Sequence, residues 1–269
     1  MSFLQLENKK YLVFGVFNKK SIAYYAAKTL IEEGAEVILS VRDEHTRKSI
    51  QEHFPKTGVF VCNIENQDDL KKLAEDVSNR HGKLDGMLHS IAFADFSEGF
   101  KPFHETKKEH FLQAIDISCF SLINISNVLK DLLNKDASVI TLSVPFTKVA
   151  VENYSYMAPV KAALESSVVY LAKSFSHFSH IRFNALCLGF LKTSAAAGIP
   201  KFMKYYAFSE KLTFRKRALD TAEVGNIIAF MLSNKSSAIN AQTITADAGL
   251  SVNWFDEEIV DSVEKTLFS

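Results

Sequence analysis

The sequence predicts an α/β fold: a doubly wound parallel sheet of about seven strands with helices on both faces. Three observations carry that expectation. Short aliphatic and β-branched runs alternate with amphipathic helical stretches along the chain, the pattern of βαβ units. The strand runs are apolar at nearly every position rather than at alternate ones, as strands covered on both faces are. The 269 residues, 47% of them hydrophobic, suffice for one large α/β domain. No linker, repeat or low-complexity stretch interrupts the alternation, so one domain spanning 1–269 is expected.

Taken in order, Tyr11-Leu12-Val13-Phe14 is the first strand, and Gly15 ends it. After the loop 16–20, Ser21 stands where an N-cap belongs, and a helix runs to about residue 33, where Gly34 stops it. Residues 36–41 form the second strand and 43–53 a charged helix. The third strand is 59–62 and the third helix 67–80. The fourth strand covers 84–91, with Gly82 and Asp85 marking its start. A long helical stretch, 109–133, leads to the fifth strand at 138–142. The next helix runs from near Tyr154 to about 178, and the sixth strand is 181–187. Residues 194–217 read as a mobile cover, with the small run Ala195-Ala196-Ala197-Gly198 permitting hinge motion. Helix 221–232 carries Glu223 in its first turn, complementing its dipole. Strand 242–245 closes the sheet, and 253–269 is a short acidic, partly helical tail.

Composition narrows the function classes. A formal net charge of zero gives no global field for nucleic acid or a membrane surface. No apolar run approaches the ~20 residues that cross a bilayer, and the N-terminal stretch lacks a signal peptide's apolar core. A soluble cytoplasmic protein is expected. Cys62, Cys119 and Cys187 lie far apart in apolar runs and read as buried reduced thiols. The histidines and glutamates of 104–110 do not fit H-E-x-x-H, so no metal site is expected. Neither a G-x-S-x-G elbow nor a G-x-x-x-x-G-K-[ST] loop occurs.

The stretch 143–161 carries the chemistry. A hydroxyl at a strand end (Ser143), a tyrosine in the following loop (Tyr154) and a lysine seven residues on (Lys161) suit carbonyl or enoyl reduction. The phenol can hydrogen-bond an oxygen that turns negative, while the ammonium holds a ribose and lowers the cost of that charge. Seven residues are close to two helical turns, so the pair shares one face if the helix reaches back to Tyr154. Tyr156 competes for the role, but its spacing of five suits a face poorly. Ser143 reads equally as an aid to the oxygen and as a structural cap. In a doubly wound sheet the nucleotide lies at the carboxyl ends of the strands where their order reverses. Gly15 permits a tight turn there, though it also reads as an ordinary turn glycine. Ser21 and its helix N-terminus suit a pyrophosphate. Arg42 stands where a ribose-reading acid would, which favours NADPH over NADH, with Arg47 and Lys48 adding charge, although beside Asp43 it also reads as an ordinary solvated helix start. Asn63 suits an adenine edge or a plain turn.

These residues together resemble the enoyl-acyl-carrier-protein reductases, a divergent branch of the short-chain dehydrogenase/reductase family with a Rossmann-type fold. The resemblance covers essentially the whole chain. Gly15 followed by Ser21-Ile22-Ala23 is similar to the family's cofactor loop. His89-Ser90-Ile91-Ala92-Phe93-Ala94 resembles the segment along the nicotinamide, and Tyr154 with Lys161 has the branch's spacing. Leu191 and Thr193 lead, as in the family, into the lid segment Ala197-Gly198-Ile199, and Asp247-Ala248-Gly249 matches a C-terminal motif. The chain departs from the pattern at Val144, where a second tyrosine is common, at Phe190 (proline), at Ala158-Pro159 (glycine and leucine), at Asn63 (aspartate) and at Tyr25 (glycine).

The resemblance implies hydride transfer from NADPH or NADH to an enoyl thioester on acyl carrier protein, with Tyr154 and Lys161 catalytic. Gly15, Ser21, Ile22, Arg42, Asn63, Ile64, Ser90, Ile91, Ala92, Lys161, Leu191 and Thr193 are expected at the cofactor. Phe93, Val144, Tyr154, Met157, Ala195, Ala196, Ile199 and Phe202 are expected at the substrate, with Met203, Tyr205, Tyr206 and Phe208 as further walls for an acyl chain. Lys201, Lys204, Lys211, Arg215, Lys216 and Arg217 form the densest basic cluster, which reads equally as a surface suited to an acidic carrier protein and as a solvated helix face beside a packing stripe. A homotetramer is implied, with the helices at 109–133 and 154–178 as interface elements. A carbonyl reductase of the same family, or a cofactor-binding relative without turnover, are the two other readings these residues allow.

Overall fold

Seven strands run parallel in one sheet: β1 (Lys10–Phe14), β2 (Glu36–Val41), β3 (Gly58–Val61), β4 (Leu84–His89), β5 (Leu133–Ser143), β6 (Arg182–Leu188) and β7 (Thr243–Ala246). The computed structural model describes residues 2–99, 101–152, 154–199 and 201–267. Pro200, in the expected cover, and Phe268 and Ser269, in the expected tail, lie outside them. The spatial order is β3-β2-β1-β4-β5-β6-β7. The chain starts in the middle, winds out to β3, crosses back and winds out to β7. The order reverses between β1 and β4, where Phe14 pairs with His89.

The helices are α1 (Ile22–Glu32), α2 (Glu44–His53), α3 (Gln67–His81), α4 (Lys108–Leu129), α5 (Met157–Phe175), α6 (Ser194–Ala197), α7 (Phe202–Leu212), α8 (Thr221–Leu232) and α9 (Glu257–Leu267). Successive strand residues face opposite sides, so Leu12 and Phe14 join one core with α3, α4 and α5. Val13 joins a second core with α1, α2 and α8. Two buried faces explain why the strand runs are apolar throughout. Asp43 caps α2 by accepting from Thr46 N at 2.7 Å, and Asp220 with Glu223 forms a capping box on α8. The glycine missing at Tyr25 has a counterpart across the helix pair. At Gly225 on α8 a Cβ would come within 2.9 Å of the Tyr25 carbonyl oxygen, so the close approach is supplied from the partner helix.

Three expectations need correction. The helix expected over 109–133 ends at Leu129, and β5 starts at Leu133. Leu133 pairs with Leu84, but the next pair is Ser138 with Gly86, so a bulge absorbs the intervening residues. Asn134 ties that bulge to Asp85 at 3.1 Å. The helix expected from Tyr154 begins at Met157, leaving Tyr154 in the loop ahead of it. Finally, α4 is long and apolar enough to cross a membrane by length and composition alone. Its Ala114, Leu122, Ile125 and Leu129 lie in the core of the first face, which is why it is apolar.

Candidate active site

The carboxyl ends of β1, β4, β5 and β6 open into one cavity of about 820 Å³. Gly15 lines it. It has φ +88°, and a Cβ on it would overlap the Ser90 carbonyl oxygen. The residue between β1 and α1 is thus glycine for two reasons, a left-handed turn and a backbone crossing at the switch point. Ser21 precedes α1 but does not cap it with its side chain. Its Oγ accepts instead from Phe17 N at 3.1 Å and Asn18 N at 3.0 Å, shaping the loop, while its carbonyl accepts from Tyr24 N at 3.1 Å in the first turn of α1.

Every residue expected at the cofactor lines this cavity, and so do the expected substrate residues from Phe93 to Phe202, whereas Met203, Tyr205, Tyr206 and Phe208 do not. Gly15, Ser21, Ile22, Arg42, Asn63 and Ile64 occupy one end, and Ser90, Ile91, Ala92, Phe93, Val144, Tyr154, Met157 and Lys161 the middle. Leu191, Thr193, Ala195, Ala196, Ile199 and Phe202 come from the cover. Arg42 is exposed. Arg47 is held by Glu44, Nε to Oε2 at 2.8 Å, and Asp43 is committed to its cap, so Arg42 is the cation on the cavity wall at the end of β2.

The β4 end is fixed from below. His89 is fully buried, with Nδ1 2.9 Å from Thr141 Oγ1 and Nε2 2.8 Å from Ser121 Oγ. Ser121 already donates to Ile117 O at 2.6 Å, so His89 Nε2 carries the hydrogen and Nδ1 accepts from Thr141. Burial, and then the Lys161 charge, pull the imidazole down to about 3, so it stays neutral. Helix α4 widens into a π-helical stretch at Asp116–Phe120 beside this network. There Ser118 Oγ accepts from Phe93 N at 2.9 Å and donates to Phe93 O at 3.2 Å, holding the segment after β4.

Lys161 is 5% exposed and its Nζ donates to Leu142 O at 2.8 Å. Burial pulls its ammonium down to about 8, with Cys119, Cys187 and Glu165 acting the other way. Pro159 sits at the third helical position of α5, where a missing N–H leaves no intrahelical bond unmade. Tyr154 lines the cavity, and burial raises its phenol, keeping it a neutral donor. Tyr156 points elsewhere: its hydroxyl donates to Asp95 O at 2.8 Å, and its ring packs near Phe96 and Phe111. Ser143 Oγ donates to Glu165 Oε1 at 2.6 Å.

The cover is less aromatic inside than expected. Phe202 lines the cavity, but Met203 and Phe208 are 59% and 50% exposed, because a helix one layer thick can turn only one face inward. Tyr206 is buried behind Phe202, its ring under the Lys192 ammonium, and Tyr205 is half-buried off the cavity wall. The basic cluster is also partly spent. Arg215 and Arg217 pair with Glu223, and Lys216 with Asp256 and Glu258. Lys201, Lys204 and Lys211 have no ion pair among the described residues. Among the wall residues that were not expected at the site are Phe146 and Phe190. Phe146 lies 5.6 Å from Phe190, centroid to centroid, and Phe190 6.2 Å from Phe202. The run S-V-P-F after β5 and the unusual Phe190 were the available signals.

With that geometry in place, comparison with known proteins is direct. The family profile described as Enoyl-(Acyl carrier protein) reductase matches residues 15–251. The enoyl-[acyl-carrier-protein] reductase [NADPH] of Staphylococcus aureus is 34% identical over 251 residues, covering 91% of this chain and 98% of that protein. The enoyl-[acyl-carrier-protein] reductase [NADH] of Enterococcus faecalis is 33% identical over 246 residues, with coverages of 91% and 98%. The crystal structure of an enoyl-[acyl-carrier-protein] reductase (NADH) from Aquifex aeolicus superposes with a TM-score of 0.89 at 31% identity, covering 93% of this chain and 99% of that one.

Proposed function

The chain belongs to the enoyl-acyl-carrier-protein reductase family, an NAD(P)H-dependent oxidoreductase of fatty-acid synthesis, and we propose that Tyr154 and Lys161 carry its chemistry. The substrate is the trans-2-enoyl thioester of acyl carrier protein. The residues present fit a dinucleotide: one cavity is lined by Arg42 and Asn63, by Gly15, Ser21 and Ile22 at the N-terminus of α1, and by Ser90–Ala92 and Lys161. When bound, the reduced nicotinamide supplies a hydride to the substrate β-carbon. Negative charge then develops on the thioester oxygen. The neutral Tyr154 hydroxyl donates a hydrogen bond to that oxygen, and Lys161 Nζ holds the ribose and favours the anion. A solvent-derived proton completes reduction at the α-carbon. The cover 194–217 acts as a lid that excludes water.

The single observation behind this reading is that Tyr154 and Lys161 converge on one cavity with the Ser90–Phe93 segment, while Tyr156 does not. NADPH is favoured because Arg42 is the cation on the wall at the β2 end. Acyl carrier protein docks through Lys201, Lys204 and Lys211, a smaller patch than the sequence implied. A homotetramer of single-domain protomers, soluble in the cytoplasm, follows the same reading. Leu112, Phe120, Val169 and Tyr170, each about half or more exposed on α4 and α5, supply an apolar interface.

The test follows NADPH and NADH oxidation with crotonoyl thioester, then with a panel of ketones. Enoyl turnover is expected, with ketones inert. Tyr154→Phe is expected to cost ~10²–10³ in kcat, and Tyr156→Phe to keep it. The opposite result would reassign the donor.

A further inference from the structure

The carboxylate of Glu165 sits one helical turn beyond Lys161 and gathers three donors from three elements. Oε1 accepts from Ser143 Oγ at 2.6 Å, at the end of β5. It also accepts from Cys187 Sγ at 3.4 Å, in β6. Oε2 accepts from Thr147 Oγ1 at 3.2 Å, inside the loop that leads to Tyr154. The hydroxyl hydrogen of Ser143 is therefore committed to Glu165, although Ser143 lines the cavity. Among the described residues Glu165 is the hydrogen-bond partner that holds the Thr147 side chain against α5, and hydrogen bonds to an ionised group are about twice as strong as neutral ones.

We propose that Glu165 is a positioning residue for the reduction: it clamps the 143–156 segment, which carries Tyr154, onto the helix that carries Lys161. The role rests on the reductase reading above. It makes Ser143 a tether rather than a donor to the substrate oxygen. Glu165 is also the carboxylate facing the Lys161 ammonium. The other groups around that ammonium are the Cys119 thiol from α4, the Cys187 thiol from β6, the neutral His89 from β4 and the Leu142 carbonyl. Removing the Glu165 charge leaves the buried ammonium easier to deprotonate, so the limb on which activity falls as pH rises must move to lower pH.

The experiment compares the unsubstituted protein with Glu165→Gln, Thr147→Val and Ser143→Ala in crotonoyl-thioester reduction, across pH 6 to 9.5, with NADPH binding measured separately by fluorescence titration. Glu165→Gln is expected to lower kcat about tenfold, with NADPH affinity within about threefold and the alkaline limb moved acidward. Thr147→Val, which keeps the charge, is expected to lower kcat by a smaller factor with the limb unmoved. Ser143→Ala, which removes one tether and keeps the carboxylate, is expected to lower kcat by less than Glu165→Gln, with the limb unmoved. An unchanged pH profile and kcat in Glu165→Gln overturn the role. So does a Ser143→Ala loss larger than that of Glu165→Gln, which would make Ser143 the donor. If Glu165→Gln fails to fold, an unchanged kcat in Thr147→Val overturns the clamp. Absence of enoyl turnover in the unsubstituted protein overturns the reductase reading itself and the clamp with it.

Discussion

The floor of the cavity and its cover are built by different physics. The floor is made of strand ends and buried polar groups whose hydrogens are all assigned. His89, Ser118, Ser121, Thr141, Ser143 and Lys161 are each under 6% exposed and each hydrogen-bonded. Among the described residues the cover's buried cluster is Phe202, Tyr206 and Ala218, with Phe190, Ala196 and Ile199 partly buried against it. It hangs from the body by polar contacts: Ser194 to Asn18, Arg215 and Arg217 to Glu223, and Phe214 N to the Ala248 carbonyl. Fully satisfied buried polar groups specify one arrangement, whereas a segment with few buried apolar contacts opens locally at low cost. The division suits the chemistry. Hydride transfer needs a fixed distance, and a bulky acyl-carrier substrate needs a door.

The largest effect should come from breaking the floor at Gly15. With φ +88° and the Ser90 carbonyl where a Cβ would sit, Gly15→Ala has no low-energy solution. Either β1 and β4 separate or the loop before α1 moves. NADPH affinity is expected to fall by roughly 10²-fold or more in fluorescence titration, since a 1 Å misplacement can cost that much, with a lowered melting temperature. An alanine variant that binds NADPH as wild type does would mean that the switch point is softer than the cover.

Next in size is the pH response of His89. Its folded value is about 3, lowered mainly by burial, against an ordinary value near 6.5. Between those values the unfolded chain binds a proton that the folded chain does not. Stability therefore falls as pH drops from about 6.5 toward 3, at up to ~1.4 kcal/mol per pH unit from this one group. In His89→Gln, urea unfolding at pH 7.5 should show a loss of about 1–3 kcal/mol from the broken network. Between pH 6.5 and 5 the variant's slope should be shallower than wild type's by ~1 kcal/mol per pH unit. Parallel slopes would place the acid lability elsewhere, with the cover's ion pairs the first candidates.

How much could be read in advance also divides between floor and cover. Strand runs and the residues at their ends are local patterns, so Gly15 could be named as a turn after β1 and Tyr154 with Lys161 as a pair two turns apart, while Ser90 came from the family resemblance. The devices that fix them could not. The π-helical turn at Asp116–Phe120 inside α4 leaves no mark in an apolar periodicity, and its use emerges only when Ser118 meets Phe93 across 25 residues. The Glu165 clamp joins residues 18 and 22 positions apart. In the cover the error ran the other way. A run of like charges was visible, but not the Glu223 and Asp256 carboxylates that neutralise half of it. Charge clusters in sequence count cations; only tertiary packing reveals which are already paired.

The smallest effect, and the sharpest test of the division, lies where cover and floor meet. Phe146 from the loop after β5, Phe190 from the loop after β6 and Phe202 from α7 form a row of rings, with centroids 5.6 and 6.2 Å apart. Phe190→Ala removes a ring that touches lid and floor at once, yet it leaves Tyr154, Lys161 and the His89 network untouched. Reduction of a four-carbon thioester is therefore expected to stay within about threefold of wild type. Pocket changes of this size shift discrimination by ~1–3 kcal/mol. The ratio of kcat/KM for an eight-carbon thioester to that for the four-carbon one is expected to rise roughly tenfold, as the chamber lengthens. If both substrates lose kcat in parallel, the row of rings holds the lid shut rather than sizing the chain, and the cover would belong with the floor as part of one rigid machine.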